Sequence, residues 1–451
     1  MMSDAWNRQS VHELWRNFVN PDYIDLLESF DFGQRFTRAE GVSLFDEDGR
    51  KIVDFLAGFG VHNVGHNHPR LIARLHATLD AKGPSMLNVD APLPMAQLAQ
   101  RLCGATHPDL CRTVFTNSGA EATEAAIKTA RAATGRTALV ACDGGWHGLT
   151  TGSLSLMGDR EHHERIGPLL SHVIHVPFGD LSALEDVLRK QKAAAFFVEP
   201  IQGEGGIRVP SPGFLRDVRR ICQKHGTLLV VDEIQTGLGR TGRMFATDFA
   251  EVRPDMVLVG KALSGGLVPV AACLMTAAAW SRAFCGPIRC NQCMSTFSGG
   301  QLAMAAGLEV LSILEEEQLA EHARKMGDAL QSSLRSLAQK HPVIRDIRGQ
   351  GLLIGIEFEP VAGLKAAVVP RWARPQLFAQ VIAAVLLRDH GLLTQACGLA
   401  PSVLRVEPPL IVSLADIQSF LHALDAVLAA YPSPGAAIMA AIRKTVLKGN
   451  L

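Results

Sequence analysis

The chain predicts an α/β fold built on a mostly parallel sheet, and three observations carry that expectation. Short apolar runs recur at Arg112–Phe115, Ala138–Ala141, His172–Val176, Ala194–Val198, Leu228–Val231 and Met256–Val259, and each reads as a buried strand. Helical stretches separate them, for example Gly119 to Thr134 and Pro212 to His225. The composition is globular: hydrophobic residues make up 47% and charged residues 20% of 451. At roughly 150 residues per domain, that length allows two to three domains.

The elements follow in order. Residues 1–58 read as an arm followed by a short hairpin that joins a smaller domain. Trp15, Phe18, Val19, Ile24, Leu26 and Leu27 offer the arm apolar anchors. The hairpin is strand, Asp48-Gly49 turn, strand, spanning Val42 to Phe55. Residues 59–312 carry the alternation and form the large domain. A long helix is expected from about Gln301 to Leu319. The remainder, 313–451, mixes helices with short strands at Gly351–Phe358 and Leu404–Glu407, which predicts a smaller α+β domain. Residues 360–375 are expected to be a loop. No internal repeat or low-complexity linker interrupts the pattern.

Bulk properties exclude several function classes. Lys+Arg and Asp+Glu are both 44, so no net field draws the chain to nucleic acid or to an anionic membrane. Met1 to Arg16 is polar with scattered charge, unlike a signal peptide. Ala262 to Ser281 is uncharged but is broken by two glycines and a proline, so it reads as core and not as a membrane span. Nine cysteines without a secretion signal point to free thiols in a reducing cytoplasm. Cys285, Cys290 and Cys293 match part of an iron–sulfur spacing, but a fourth cysteine in reach is missing. No metal is expected.

The chemistry is concentrated at strand ends. The run Leu228–Val231 ends on Asp232, with Gln235 one turn later, and the run Met256–Val259 delivers Lys261 after Gly260. In a parallel sheet the carboxyl ends of strands line a ligand crevice. A carboxylate there can keep a pyridine nitrogen protonated, and a lysine there can form a Schiff base with an aldehyde. Together they point to pyridoxal 5'-phosphate (PLP). Asn117-Ser118-Gly119-Ala120-Glu121 follows a strand and opens a helix, where small residues and free N–H groups suit a phosphate, although taken alone the motif is more often an ordinary helix cap by Ser118. In Gly144-Gly-Trp146-His147-Gly148, Trp146 could stack on a planar ring and His147 could hydrogen-bond near it. Glu199 ends a strand and Glu204 lies in a glycine-rich loop, so both could face the crevice or sit as solvated acids.

The order of these motifs resembles the class III PLP-dependent aminotransferases of fold type I, from about Asn20 to Ser413. The phrase Asp232-Glu-Ile-Gln-Thr-Gly-Leu-Gly-Arg-Thr-Gly242 carries the resemblance most specifically. Val19-Asn-Pro21, Gly58-Phe-Gly-Val-His-Asn-Val-Gly-His66, His175-Val-Pro-Phe-Gly179 and Arg405-Val-Glu-Pro-Pro-Leu410 look like the putrescine (diamine) branch. The resemblance implies that Lys261 is the Schiff-base lysine, Asp232 the pyridine-nitrogen partner and Gln235 the neighbour of the ring hydroxyl. It makes Ser118, Gly119 and Ala120 the phosphate cup, and Thr296 the residue that reaches the phosphate of a partner subunit in a homodimer with shared active sites. Trp146 stands where the family usually stacks Phe or Tyr. Arg405 matches the arginine that pairs with a substrate carboxylate, and Glu204 the acid that masks it.

Two departures bear on substrate. Ornithine and acetylornithine aminotransferases usually carry Arg where this chain has Leu149, and ornithine aminotransferases have Tyr where it has Phe59. Both changes remove polar anchors. They favour a small-molecule primary amine donor such as putrescine or cadaverine, with a 2-oxo acid such as 2-oxoglutarate or pyruvate as acceptor. A biosynthetic enzyme that aminates an aldehyde or ketone intermediate of a secondary metabolite is the alternative, ahead of an ornithine-type enzyme.

Overall fold

The computed structural model describes residues 7–159, 161–163, 165–359, 378–433 and 435. The loop expected at 360–375 lies outside them. The described residues form three sheets. The largest has seven strands in the order Leu110–Thr116, Ala271–Thr276, Met256–Val259, Leu228–Asp232, Ala195–Val198, Leu139–Cys142 and Val173–Val176. The last five pair in parallel. All six expected strands are present within two residues at each end, and the mixed α/β class with a mostly parallel sheet stands.

The central strands are apolar along nearly their whole length because helices cover the sheet. Ala195–Val198 and Met256–Val259 are buried at every position. One strand of this sheet was not expected. The run Ala262 to Ser281, read simply as core, contains Ala271–Thr276, which lies antiparallel to both neighbours. No crossover helix separates it from Met256–Val259. Gly265 and Gly266, at φ 61° and 83°, help turn the chain back directly.

The helix Gly119–Thr134 follows its expected bounds. Ser118 caps it by accepting from the Glu121 N–H at 3.2 Å, a contact worth about 1 kcal/mol. Gly135, at φ 66°, ends it in the left-handed conformation. The long helix expected to reach Leu319 ends earlier. It spans Gln301–Glu316, and a second helix, Leu319–Lys340, starts after Gln318 takes φ 51°. Glu315, Glu316 and Glu317 stack negative charge at the first helix's negative end, which favours a break there.

The N-terminal arm is helical, over Arg8–Phe18 and Pro21–Ser29, with Asn7 and Asn20 as caps. The expected hairpin pairs Ser43–Asp46 with Lys51–Asp54. Strand Phe36–Glu40 extends it on one side, and Leu392–Leu393 pairs with Lys51–Asp54 in parallel on the other. The third sheet is antiparallel, in the order Ile344–Gln350, Leu353–Phe358, Val403–Val406, Gln395–Ala396. No helix among the described residues is long and apolar enough to cross a membrane.

Candidate active site

A cavity of about 200 Å³ opens where the carboxyl ends of the central strands meet the helix starting at Gly119. Gly119, Ala120, Trp146, His147, Gly148, Glu199, Asp232, Ile234, Gln235 and Lys261 line it. Eight of the residues singled out in the sequence therefore converge on one space. The architecture explains why. Each follows a strand of the same sheet, and parallel strands deliver their ends to one side.

Asp232 is held from two directions. Its Oδ2 lies 2.8 Å from His147 Nδ1, and its Oδ1 accepts from the Ile234 N–H at 3.0 Å. Burial works against a charge on His147, but the hydrogen bond and the charge of Asp232 outweigh it and raise the imidazole pKa. Glu199 is also buried and accepts from the Trp146 and Gly203 N–H groups, at 3.0 and 3.1 Å. Burial pushes its carboxyl up to about 7, with Asp232 adding to the shift and His147 opposing it.

Lys261 begins a short 3-10 turn with φ 43°, a left-handed conformation that a side chain rarely adopts. Burial lowers its pKa, and Arg405 pushes the same way against Glu407 and Glu204. A lysine held toward its neutral form is a nucleophile and a base.

Close backbone approaches shape the cavity. A Cβ on Gly119 would come within 2.8 Å of the Ile234 side chain, and one on Gly148 within 2.5 Å of Ala120 Cβ. The Gly119 and Ala120 amides sit in the first turn of a 16-residue helix, where no helix carbonyl can pair them. That end suits an anion. The opposite face offers a carboxylate on a fixed imidazole, and a lysine closes the side. The residues present fit a phosphorylated pyridine aldehyde.

Beside the cavity lies a second cluster. Gln235 connects the two through its Nε2, which donates to Glu407 at 3.0 and 3.2 Å. Arg405 is completely buried, and its Nη2 lies 2.6 Å from Glu204 Oε1, a close ionic contact whose angles fall short of a hydrogen bond. Nε and Nη1 also lack hydrogen-bond partners. Burial disfavours the charge on Arg405, but Glu204, Cys397 and Glu407 overcompensate and raise its pKa. The Phe59 ring lies 5.0 Å from the guanidinium carbon. Ala57, Gly58, Phe59 and Gly60 all have positive φ, from 49° to 82°, so the turn that presents Phe59 is strained.

Of the residues singled out, six lie outside the cavity lining: Phe59, Glu204 and Arg405 belong to the second cluster, and Ser118, Leu149 and Thr296 to neither. Ser118 is the helix cap just described. Leu149 is 60% exposed. Thr296 is exposed, and its carbonyl accepts from Asn88 Nδ2 at 3.1 Å, while its neighbour Ser295 accepts from Asn117 Nδ2. Cys285 and Cys290 are exposed and Cys293 is half-buried; no group of His, Cys, Asp or Glu side chains among the described residues is placed to hold a metal ion.

Sequence reasoning missed Glu407 and Arg240, both fully buried. A signal existed for Glu407. It stands two residues after Arg405 in a strand-like run, and side chains two apart share a face. Arg240 lay inside the Asp232–Gly242 phrase without a role.

Comparison with known proteins bears on the family and the fold. The family model for aminotransferase class III matches residues 31–428. The chain is 35% identical to aminotransferase PigE of a Serratia species, over 93% of this chain but only 53% of that longer protein, so it spans about half of PigE. It is 41% identical to the acetylornithine aminotransferase of Mycolicibacterium smegmatis, over 86% of this chain and 92% of that one. The ornithine aminotransferase of Toxoplasma gondii has a similar structure, with a TM-score of 0.81 and 30% identity over 95% of this chain and 96% of that one. A further structure of that enzyme shows partial occupancy of PLP at its active site. The chain belongs to the class III aminotransferases, and its cofactor is pyridoxal 5'-phosphate.

Proposed function

We propose that this aminotransferase moves an amino group from a primary amine, with putrescine or cadaverine as leading donors, to a 2-oxo acid such as pyruvate or 2-oxoglutarate. One observation supports it above the rest. Arg405 is buried, carries unpaired donors and faces an acid, Glu204, on a glycine-rich loop. A buried guanidinium with free N–H groups is suited to a carboxylate. With Glu204 in place, the same pocket suits a donor that has no carboxylate.

When bound, PLP supplies an aldehyde for the amine and an electron sink for the carbon that loses its proton. Asp232, fixed by His147 and the Ile234 N–H, holds a proton on the ring nitrogen. Lys261 Nζ would hold the group as its amine partner and would serve as the base and acid that moves the proton of the donor carbon. Its lowered pKa suits that role. Trp146 and Gln235 line the cavity and would help hold the ring there, Trp146 against its tilt and Gln235 beside its oxygen. Glu199 holds the Trp146 loop by two backbone hydrogen bonds. Arg405 then receives the acceptor carboxylate.

Donor choice follows from what is missing. Phe59, beside Arg405, supplies no polar partner for an α-amino acid zwitterion. Each group left unpaired costs about 1–3 kcal/mol, or roughly 5- to 150-fold in selectivity. Stopped-flow half-reactions with putrescine, cadaverine and ornithine test this. Diamines should convert the cofactor faster; a faster reaction with ornithine than with either diamine sinks the donor assignment.

The same reading includes a homodimer in which Thr296 reaches the partner's phosphate. Its support is an exposed apolar surface around Thr296. Val89, Leu93, Ile288, Met294 and Phe297 are all more than half exposed. Stable interfaces bury such surfaces.

A further inference from the structure

Arg405 has two carboxylates within reach, and they are held differently. Glu204 sits in the loop after the strand Ala195–Val198. Besides the ionic contact with Arg405, its carboxylate accepts one hydrogen bond, from the Gly398 N–H at 2.9 Å. Glu407 is completely buried. Its carboxylate lies 3.5 Å from Arg405 Nη1 and 3.8 Å from Arg240 Nε, and accepts twice from Gln235. Its backbone N–H donates to Phe55 O at 2.8 Å. A Cβ on Gly60 would come within 2.4 Å of Glu407 Oε1, so the glycine leaves just enough room for the acid. Arg240 is itself fastened to Leu352 O, Pro408 O and Asn63 Oδ1 at 3.0, 2.5 and 2.6 Å. Glu407 therefore has more fixed partners than Glu204.

That asymmetry matters when the partner of Arg405 changes. An incoming carboxylate must displace Glu204. Between departure and arrival the guanidinium is buried without that counter-ion, which is the least favourable state of the exchange. A fixed acid 3.5 Å away lowers its cost. Both end states keep two cations, Arg240 and Arg405, against two anions.

We propose that Glu407 is the standing counter-ion of Arg405, a positioning residue that lets Glu204 exchange for the carboxylate of the 2-oxo acid. The proposal rests on the reading that Arg405 receives that carboxylate. Glu407 therefore acts on the step of exchange. It repels Glu204 and the substrate carboxylate alike, so its effect on the equilibrium between them largely cancels.

The test uses holoenzyme carrying Glu407→Gln, Glu407→Asp, Glu204→Gln and the double substitution Glu204→Gln with Glu407→Gln. Stopped-flow absorbance follows the donor half with putrescine and the acceptor half with pyruvate. Glu407→Gln should slow the acceptor half about tenfold more than the donor half. Glu407→Asp, which keeps the charge, should recover most of that difference. In the Glu204→Gln background, Glu407→Gln should add no more than about twofold to the acceptor loss, because no acid is left to exchange. Calorimetry with unreactive propionate should find its affinity for Glu407→Gln within about threefold of the parent, since the energies of the two end states shift together. Equal losses in both halves overturn the proposal. So does a loss independent of Glu204, a failure of aspartate to rescue, or a propionate affinity that falls as far as the rate. An Arg405→Ala arm separates the two layers. If that variant spares the acceptor half, the underlying reading has failed; if it does not, only the role of Glu407 is at stake.

Discussion

At one end of the cavity, Asp232 and Glu199 spend their oxygens on fixed donors: one imidazole and three backbone N–H groups. Beside the cavity, at the other end of the site, Arg405 keeps Nε and Nη1 unpaired next to two acids. Both ends are buried, and both are dense in charge. The first is satisfied and therefore preorganised. The second is left incomplete, a costly arrangement in a low-dielectric interior unless a ligand completes it. The contrast separates a part of the site that serves both half-reactions from a part that distinguishes between them.

The strongest way to break the first end is to remove its lysine. Lys261→Ala should reduce turnover to background, and borohydride should no longer fix the cofactor to the chain. A reduced adduct mapped to another lysine would mean that the residue has been misassigned. Asp232→Asn comes next. Asparagine keeps a hydrogen bond but loses the charge, and both half-reactions should fall by at least ~10²-fold with the fold intact by circular dichroism. Near-normal turnover would contradict the role of Asp232.

A third test concerns sharing between subunits. Thr296→Asp should repel the phosphate of a partner, and Lys261→Ala removes the nucleophile. Co-expressed, the two chains should form heterodimers with one intact site each and recover part of the activity. If co-expression restores nothing, Thr296 does not serve the partner.

The smallest effect is one of stability. The Glu199 carboxyl is raised to about 7 and the His147 imidazole is raised as well. For both groups the folded chain holds its proton more tightly than the unfolded chain. Each contribution is therefore full below the unfolded pKa and is lost as pH rises through the folded one. For Glu199 that window runs from the usual carboxylate range up to about 7. The cofactor-free protein should lose up to about 3 kcal/mol across it, read as a falling urea midpoint. Glu199→Gln should flatten the slope; an unchanged slope would assign it elsewhere.

The cofactor end was far more legible in the sequence than the substrate end. Asp232, Lys261 and Glu199 each close a recognisable apolar run, and strand ends in a parallel sheet meet by topology. Helix Gly119–Thr134 could be placed because Ser118 and Gly135 punctuate it. The substrate end depends on segments that are distant in sequence. Phe59, Glu204, Gln235, Arg240, Arg405 and Glu407 come from four separate stretches, and no local periodicity reports their meeting. Glu407 was hidden for that reason, although its two-residue offset from Arg405 was visible. The strand Ala271–Thr276 was hidden differently. Its apolar run shows burial but not direction, and only the glycine turn after Lys261 makes it antiparallel.

The division between the two ends is tested most directly by Arg405→Ala holoenzyme in the two half-reactions. With putrescine, the donor half should fall by no more than about tenfold, because the donor brings no carboxylate to this end. With pyruvate, the acceptor half should fall by at least ~10²-fold, the scale expected when one member of a buried charge pair is removed. Equal losses in the two halves would contradict the account, since Arg405 would then serve the site as a whole and not the acceptor alone.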